Sequence, residues 1–146
     1  MRARTITSHS VVDTINAGVS LGAALEPGAV VALWGDLGAG KTHFVKGIAQ
    51  SLGIGPESVS SPTFAIAHEY KGGRYPLYHL DCYRLSDAAD LERTGAQDYI
   101  GSEGVCLIEW PQRIETLLPP TTILVRILHR DDGGRDIQIL PPGNNA

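Results

Sequence analysis

VVALWGDLGAGKTHFVKGIAQSLG (residues 30–53) divides into three parts of different character. Val30 to Trp34 is an unbroken apolar run bounded by Gly28 and Gly35, which is the pattern of a strand buried on both faces. Phe44, Ile48 and Leu52 then recur every four residues and Gly53 follows, the stripe and stop signal of an amphipathic helix. Between them lies GDLGAGKT, with three glycines, a lysine and a threonine in eight residues, which cannot pack a core. The stretch is a strand, a loop that must hold something, and a helix that begins where the loop ends.

That loop has the Walker A spacing, Gly35-x-x-x-x-Gly40-Lys41-Thr42. Glycines let the backbone curl so that successive N–H groups point inward at phosphate oxygens. The helix N-terminus adds unsatisfied N–H groups and partial positive charge. The expected nucleotide contacts are Gly35, Asp36, Leu37, Gly38, Ala39, Gly40, Lys41 and Thr42. Lys41 supplies a point charge between the β- and γ-phosphates, and the Thr42 hydroxyl is placed to ligate Mg2+.

A site of this kind also needs a carboxylate at the end of a neighbouring strand. YPLYHLD delivers Asp81 and VCLIE delivers Glu109, each after an apolar strand. Of these two acids, one can hold Mg2+ or its waters and the other can orient or deprotonate the attacking water, a division the residues leave open. Thr63, stiffened by Pro62, is either a switch threonine reaching the γ-phosphate or the turn residue that starts a strand. Trp110 is a core anchor or an aromatic facing a base or a partner. His79 alternates with Asp81 on one strand face and reads as a packed or hydrogen-bonded histidine, not a metal ligand.

The rest of the chain frames the loop. Ser10 and Asp13 fit a helix capping box, and Val11, Ile15 and Val19 predict a helix from residue 11 to about residue 25. TFAIAHEY and RYPLYHLDCY, joined by Lys71-Gly72-Gly73, predict a hairpin. DAADLERTGAQDYI is helical but broken near Gly95, GVCLIEW is a strand, and TTILVRIL with RDIQIL closes the chain as a second hairpin. Helices alternating with buried strands, followed by hairpins, predict an α/β sandwich with a central mixed β-sheet. The 146 residues suit one domain, with about 141–146 a frayed tail.

Composition narrows the function classes. Twelve basic against sixteen acidic residues leave a net charge of −4, without the clustered Lys and Arg that DNA or direct tRNA binding needs. No apolar run approaches the roughly 20 residues of a membrane span, and the start MRARTITSHS carries no apolar stretch, so a cytoplasmic protein is expected. Cys82 and Cys106 stand far apart in no CxxC arrangement and read as reduced core residues.

GDLGAGKT, SPTF, YHLDCYRL, DYI and LIEWPQR occur in an order and spacing that resembles the TsaE (YjeE) family, over roughly residues 10–135. The resemblance implies a P-loop NTPase-like fold and an ATPase that binds ATP, ADP and Mg2+, hydrolysing ATP slowly when alone. It implies a partner, the TsaD–TsaB heterodimer, which places a threonylcarbamoyl group on N6 of adenosine 37 in tRNAs reading ANN codons. Contact with tRNA is then indirect, through the complex. By the same resemblance Thr42 and Glu109 lie at the magnesium, and Thr63 and Asp81 belong to switch-like segments around the γ-phosphate. Ser10 and the Gly133-Gly134 turn approach the nucleotide. Phe64 and Ala65 stand where the family commonly has tyrosine and threonine, and His43 replaces a second threonine after the lysine, a change expected to matter little.

Three rival readings are weighed. A GTPase would carry N-K-x-D, and the chain has no Asn-Lys pair. A small-molecule P-loop kinase would need a substrate pocket and an arginine-bearing lid, to which only Arg84 and Arg93 are placed to contribute. A nucleotide-gated adaptor would use binding without essential hydrolysis.

Overall fold

The computed structural model describes residues 1–36, 40–55 and 66–143. Its strands are β1 (Arg4–Ser8), β2 (Val30–Trp34), β3 (Ala67–Tyr70), β4 (Leu77–Asp81), β5 (Val105–Glu109), β6 (Ile123–His129) and β7 (Arg135–Leu140). Its helices are α1 (Val11–Gly22), α2 (Lys41–Ser51) and α3 (Ala88–Thr94). The strands form one mixed sheet in the order β1-β7-β6-β2-β5-β4-β3. The expected α/β architecture with a mixed sheet is present; of the expected strand TFAIAHEY, Ala67–Tyr70 form β3, and its first three residues lie outside the described residues.

Four strands, β4, β5, β2 and β6, run parallel at the centre, and antiparallel β3, β7 and β1 finish the edges. Alternation along the strands splits the interior into two cores. Val31, Leu33, Leu77, Val105 and Leu107 face α1 and α2, while Val30, Tyr78, Leu80, Cys106 and Ile108 face α3 and the turns around it. β2 is buried along its first four residues because parallel partners flank it on both sides. Burial pushes the Cys82 and Cys106 thiols up to about 12, so both stay as neutral packing groups.

Two details depart from the sequence reading. Helix α1 ends at Gly22, short of residue 25, because the Ala24 and Leu25 N–H groups bond to the Leu21 and Gly22 carbonyls in a tightened last turn. Its buried face is Thr14, Ala17, Gly18, Leu21 and Gly22, whereas Val11 is exposed and Ile15 and Val19 are only half-buried. The face is chosen by small residues, which let α1 and α2 touch backbone to backbone. A Cβ at Gly47 would collide with the Ile15 carbonyl oxygen and lie 2.9 Å from Gly18 Cα. Gly47→Ala is therefore expected to cost about 3 kcal/mol through forced separation of the helices. That lowers the melting temperature by on the order of 10 °C, measurable by circular dichroism.

Strand β1 has no counterpart in the sequence reading. RTITS has one large apolar side chain, Ile6, and pairs only with β7, so its pattern carries little of the core. A 3-10 helix over Pro111–Leu117 also follows β5 and packs Ile114 into the second core. Among the described residues no helix is long and apolar enough to cross a membrane.

Candidate functional site

Register brings the important strand ends into one row. Leu33 of β2 pairs with Glu109 of β5, and Glu109 pairs with Asp81 of β4. Three parallel strands thus finish at the same edge, where open α/β sheets bind ligands. Glu109 has the parity of Val105 and Leu107, and Asp81 that of Leu77, so both acids lie on the face covered by α1 and α2. The chain leaves β2 at this edge and returns as α2 on the same face.

Helix α2 starts at Gly40, whose φ of 101° is the left-handed conformation that glycine tolerates. Among the described residues no side chain caps this helix end, and no acid lies in its first turn. The positive end of the helix dipole therefore points toward the end of the glycine loop. Lys41, the first helical residue, is buried, and its Nζ lies 3.7 Å from Glu109 Oε1 and 4.5 Å from the centre of the Trp110 ring. Trp110 in turn packs on Tyr83, with ring centroids 4.9 Å apart. It adopts a φ of 57°, the sole positive φ of a non-glycine residue among those described, directly before Pro111. This turn delivers the ring over the lysine, and Trp110 is half-buried, packed at once on the second core and beside Lys41.

Glu109 is almost fully buried. Burial alone would raise its pKa, but the His79 hydrogen bond and the charges of His79 and Lys41 outweigh it, leaving the carboxyl below the ordinary glutamate value. His79 Nε2 sits 2.7 Å from Glu109 Oε2. The H-x-D alternation had placed His79 on the same strand face as Asp81; the cross-strand bond to Glu109 is what sequence spacing could not give. Asp81 is half-buried, and its Oδ1 accepts the Tyr83 N–H at 3.0 Å, pinning the start of the following turn. Thr42 follows Lys41 in the first turn of α2 and is half-buried.

A cleft of about 270 Å³ opens beside Gly40. Ser10, Gly133, Gly134, Thr14 and His43 are among its lining residues, so the two distant segments named from sequence do meet the loop. Ser10 caps α1 by accepting the Asp13 N–H at 3.0 Å, while Asp13 Oδ2 accepts the His9 N–H, one residue earlier than a capping box has it. Beneath them Ser8 Oγ and Thr14 Oγ1 share a buried hydrogen bond of 2.7 Å, and Ser8 also donates to the Ser10 carbonyl. This network, unrecognised from sequence, fixes the N-terminus of α1 against the loop. Gly134 is required there, since a Cβ would lie 2.7 Å from the Ser8 carbonyl oxygen. His43 lines the cleft with a buried Nδ1 that has no partner among the described residues.

Leu37, Gly38 and Ala39 of the loop, together with Thr63, Phe64, Ala65 and the last three residues of the tail, lie outside the described residues. Gly35, Asp36, Gly40, Lys41 and Thr42 bracket the loop at the end of β2 and the start of α2.

The profile of the family described as threonylcarbamoyl adenosine biosynthesis protein TsaE matches residues 8–137. The chain belongs to the TsaE family. It is 45% identical over 132 residues to the tRNA threonylcarbamoyladenosine biosynthesis protein TsaE of Treponema pallidum, covering 90% of this chain and 96% of that protein. It is 46% identical over 119 residues to the protein of the same description from Bacillus subtilis, covering 82% and 73% respectively. The crystal structure of Bacillus subtilis YdiB superposes with a TM-score of 0.81 at 35% identity, covering 98% of this chain and 88% of that one. The family places the chain in tRNA threonylcarbamoyladenosine biosynthesis, and the superposition gives it a P-loop-type fold.

The residues also fit a magnesium ion held jointly with phosphates. Mg2+ takes oxygen donors and is commonly bound by one or two carboxylates plus substrate phosphate oxygens. Glu109 and Asp81 side by side, with Thr42 on the facing helix end, supply such donors. Among the described residues no cluster of three or more His, Cys, Asp or Glu forms a self-contained cage.

Proposed function

We propose that this TsaE-family chain binds ATP and ADP with Mg2+ and hydrolyses ATP, weakly alone and faster with the TsaD–TsaB heterodimer. In that role it supports N6-threonylcarbamoylation of adenosine 37 in tRNAs reading ANN codons, in the cytoplasm, as one P-loop ATPase domain. The observation that carries the nucleotide reading is the convergence of Lys41 and Glu109 at the uncapped N-terminus of α2. A lysine and a carboxylate aimed at one point beside the positive end of a helix suit a phosphate–metal pair. The cleft bordered by Ser10 and Gly133 then receives the nucleoside.

The roles follow from position. Lys41 exchanges its contact with Glu109 for the β- and γ-phosphates when nucleotide enters. Thr42 and Glu109 hold the Mg2+, which neutralises charge on the transferring phosphoryl group. Asp81 orients the attacking water, and Thr63, outside the described residues, is assigned to the γ-phosphate by family resemblance alone. Trp110, Tyr83 and Arg84 continue outward from the carboxylate edge, the placement suited to reporting ATP or ADP to a neighbouring protein. The acidic surface composition leaves tRNA to the partners.

The deciding experiment compares phosphate release by the chain alone, with small-molecule acceptors, and with purified TsaD–TsaB. Stimulation by TsaD–TsaB is expected. Transfer to a small acceptor would favour a kinase, and full support of tRNA modification without hydrolysis would favour an adaptor. In a parallel titration ATP and ADP are expected to bind more tightly than GTP, because no N-K-x-D guanine reader is present. Equal affinity for GTP would remove the adenine preference.

A further inference from the structure

His79 is completely buried on β4, two residues before Asp81. It pairs in register with Leu107, which makes Glu109 its diagonal neighbour on the same sheet face. The Nε2···Oε2 distance of 2.7 Å is that of a charge-assisted hydrogen bond. Glu109 Oε1 instead faces Lys41 Nζ at 3.7 Å, so the two carboxylate oxygens have separate tasks. His79 Nδ1 is buried without a partner among the described residues. An ionised Glu109 only accepts, so Nε2 must carry the proton.

We propose that His79 is a positioning residue: its Nε2–H holds Glu109 in one rotamer, with Oε1 presented to Lys41 and to the Mg2+–phosphate group. This rests on the Mg2+–nucleotide reading above. β5 is flanked by β2 and β4, so its backbone is rigid, and the freedom left to Glu109 is side-chain rotation. A donor on the adjacent strand removes that freedom without occupying the oxygen that meets the ion. Outer partners of metal-ligating groups act in this way.

The test uses the full chain with Mn2+ as a spin probe, ADP as nucleotide, and the variants His79→Leu, His79→Gln and His79→Asn. Mn2+ affinity of the ADP complex, read by electron paramagnetic resonance, is expected to fall about 10- to 100-fold in His79→Leu. Metal-free ADP affinity is expected to stay within about 3-fold, because the lost interaction lies at the carboxylate and not at the phosphates. The Gln amide nitrogen reaches about as far as Nε2 and is expected to restore Mn2+ affinity, whereas the shorter Asn is not. Nitrogen-15 spectra of the wild type are expected to show a proton held on Nε2 and hydrogen-bonded to Glu109. Wild-type Mn2+ affinity in a folded His79→Leu, or equal behaviour of Gln and Asn, overturns the proposal and leaves His79 a packing residue. If His79→Leu does not fold, the Gln–Asn comparison decides. Metal-independent ADP binding by the wild type would instead overturn the Mg2+–nucleotide reading, and this inference with it.

Discussion

Lys41→Ala is expected to lower ATP hydrolysis by on the order of 10³-fold, the scale seen when one preorganised charge-stabilising donor is removed from a reacting centre. The lysine emerges from the first turn of α2, so in the proposed site its ammonium and the helix end would act on the same phosphates. Nucleotide affinity should fall as well, because part of that attraction is present before reaction. In the nucleotide-free protein the variant leaves Glu109 buried with His79 as its remaining named partner. Glu109 has a depressed pKa, so its ionisation contributes stability above the ordinary glutamate range and loses it as pH falls through the folded value. Removing Lys41 takes away one cause of the depression. The melting temperature is therefore expected to drop near neutral pH, with the gap to wild type closing under acid conditions as Glu109 protonates. Phosphate release and melting curves at the two pH values check both statements. Wild-type turnover would mean that the phosphates bind elsewhere.

The central strands and α2 were legible because their signals are local: an unbroken apolar run, a four-residue stripe, a glycine stop. β1 was not, because an edge strand with one half-buried apolar side chain has no pattern to detect. The α1 face misled for a related reason. Val11, Ile15 and Val19 suggested a stripe, but the helix packs through Gly18 against Gly47 and through Gly22 against Ile48 and Ser51, and glycine carries no hydropathy signal for close approach. At the site, Lys41, Asp81 and Glu109 could be named singly from loop spacing and strand ends. Their meeting depends on strand order: β5 beside both β2 and β4 is a non-local choice that no residue announces. The same order creates the His79–Glu109 bond across 30 positions of sequence. Ser10 and Gly133 entered through family resemblance alone, and the pairing of β1 with β7 is what carries them to one cleft.

Glu109 and Asp81 are expected to fail differently when altered, although they are register partners on one face. Glu109 is buried, fixed at one oxygen by His79, and faces the Walker lysine with the other. Such a constrained carboxylate suits ion binding, which rewards fixed geometry. Glu109→Gln keeps an acceptor for His79 while removing the charge, so the chain should fold. Mg2+-dependent ATP affinity should then collapse towards the metal-free value, with turnover down by about 10²-fold or more. Asp81 is more open to solvent, and one of its oxygens is engaged by the Tyr83 N–H. In the proposed mechanism its other oxygen is the one that orients the attacking water. Asp81→Asn is expected to leave Mg2+-dependent affinity near wild type and to lower turnover by a similar factor of about 10², a loss confined to the transition state. Titration of nucleotide affinity against Mg2+, paired with single-turnover phosphate release, separates the two effects. Reversal of the pattern would exchange the roles of the acids, and wild-type behaviour in both would reduce them to strand-end surface groups.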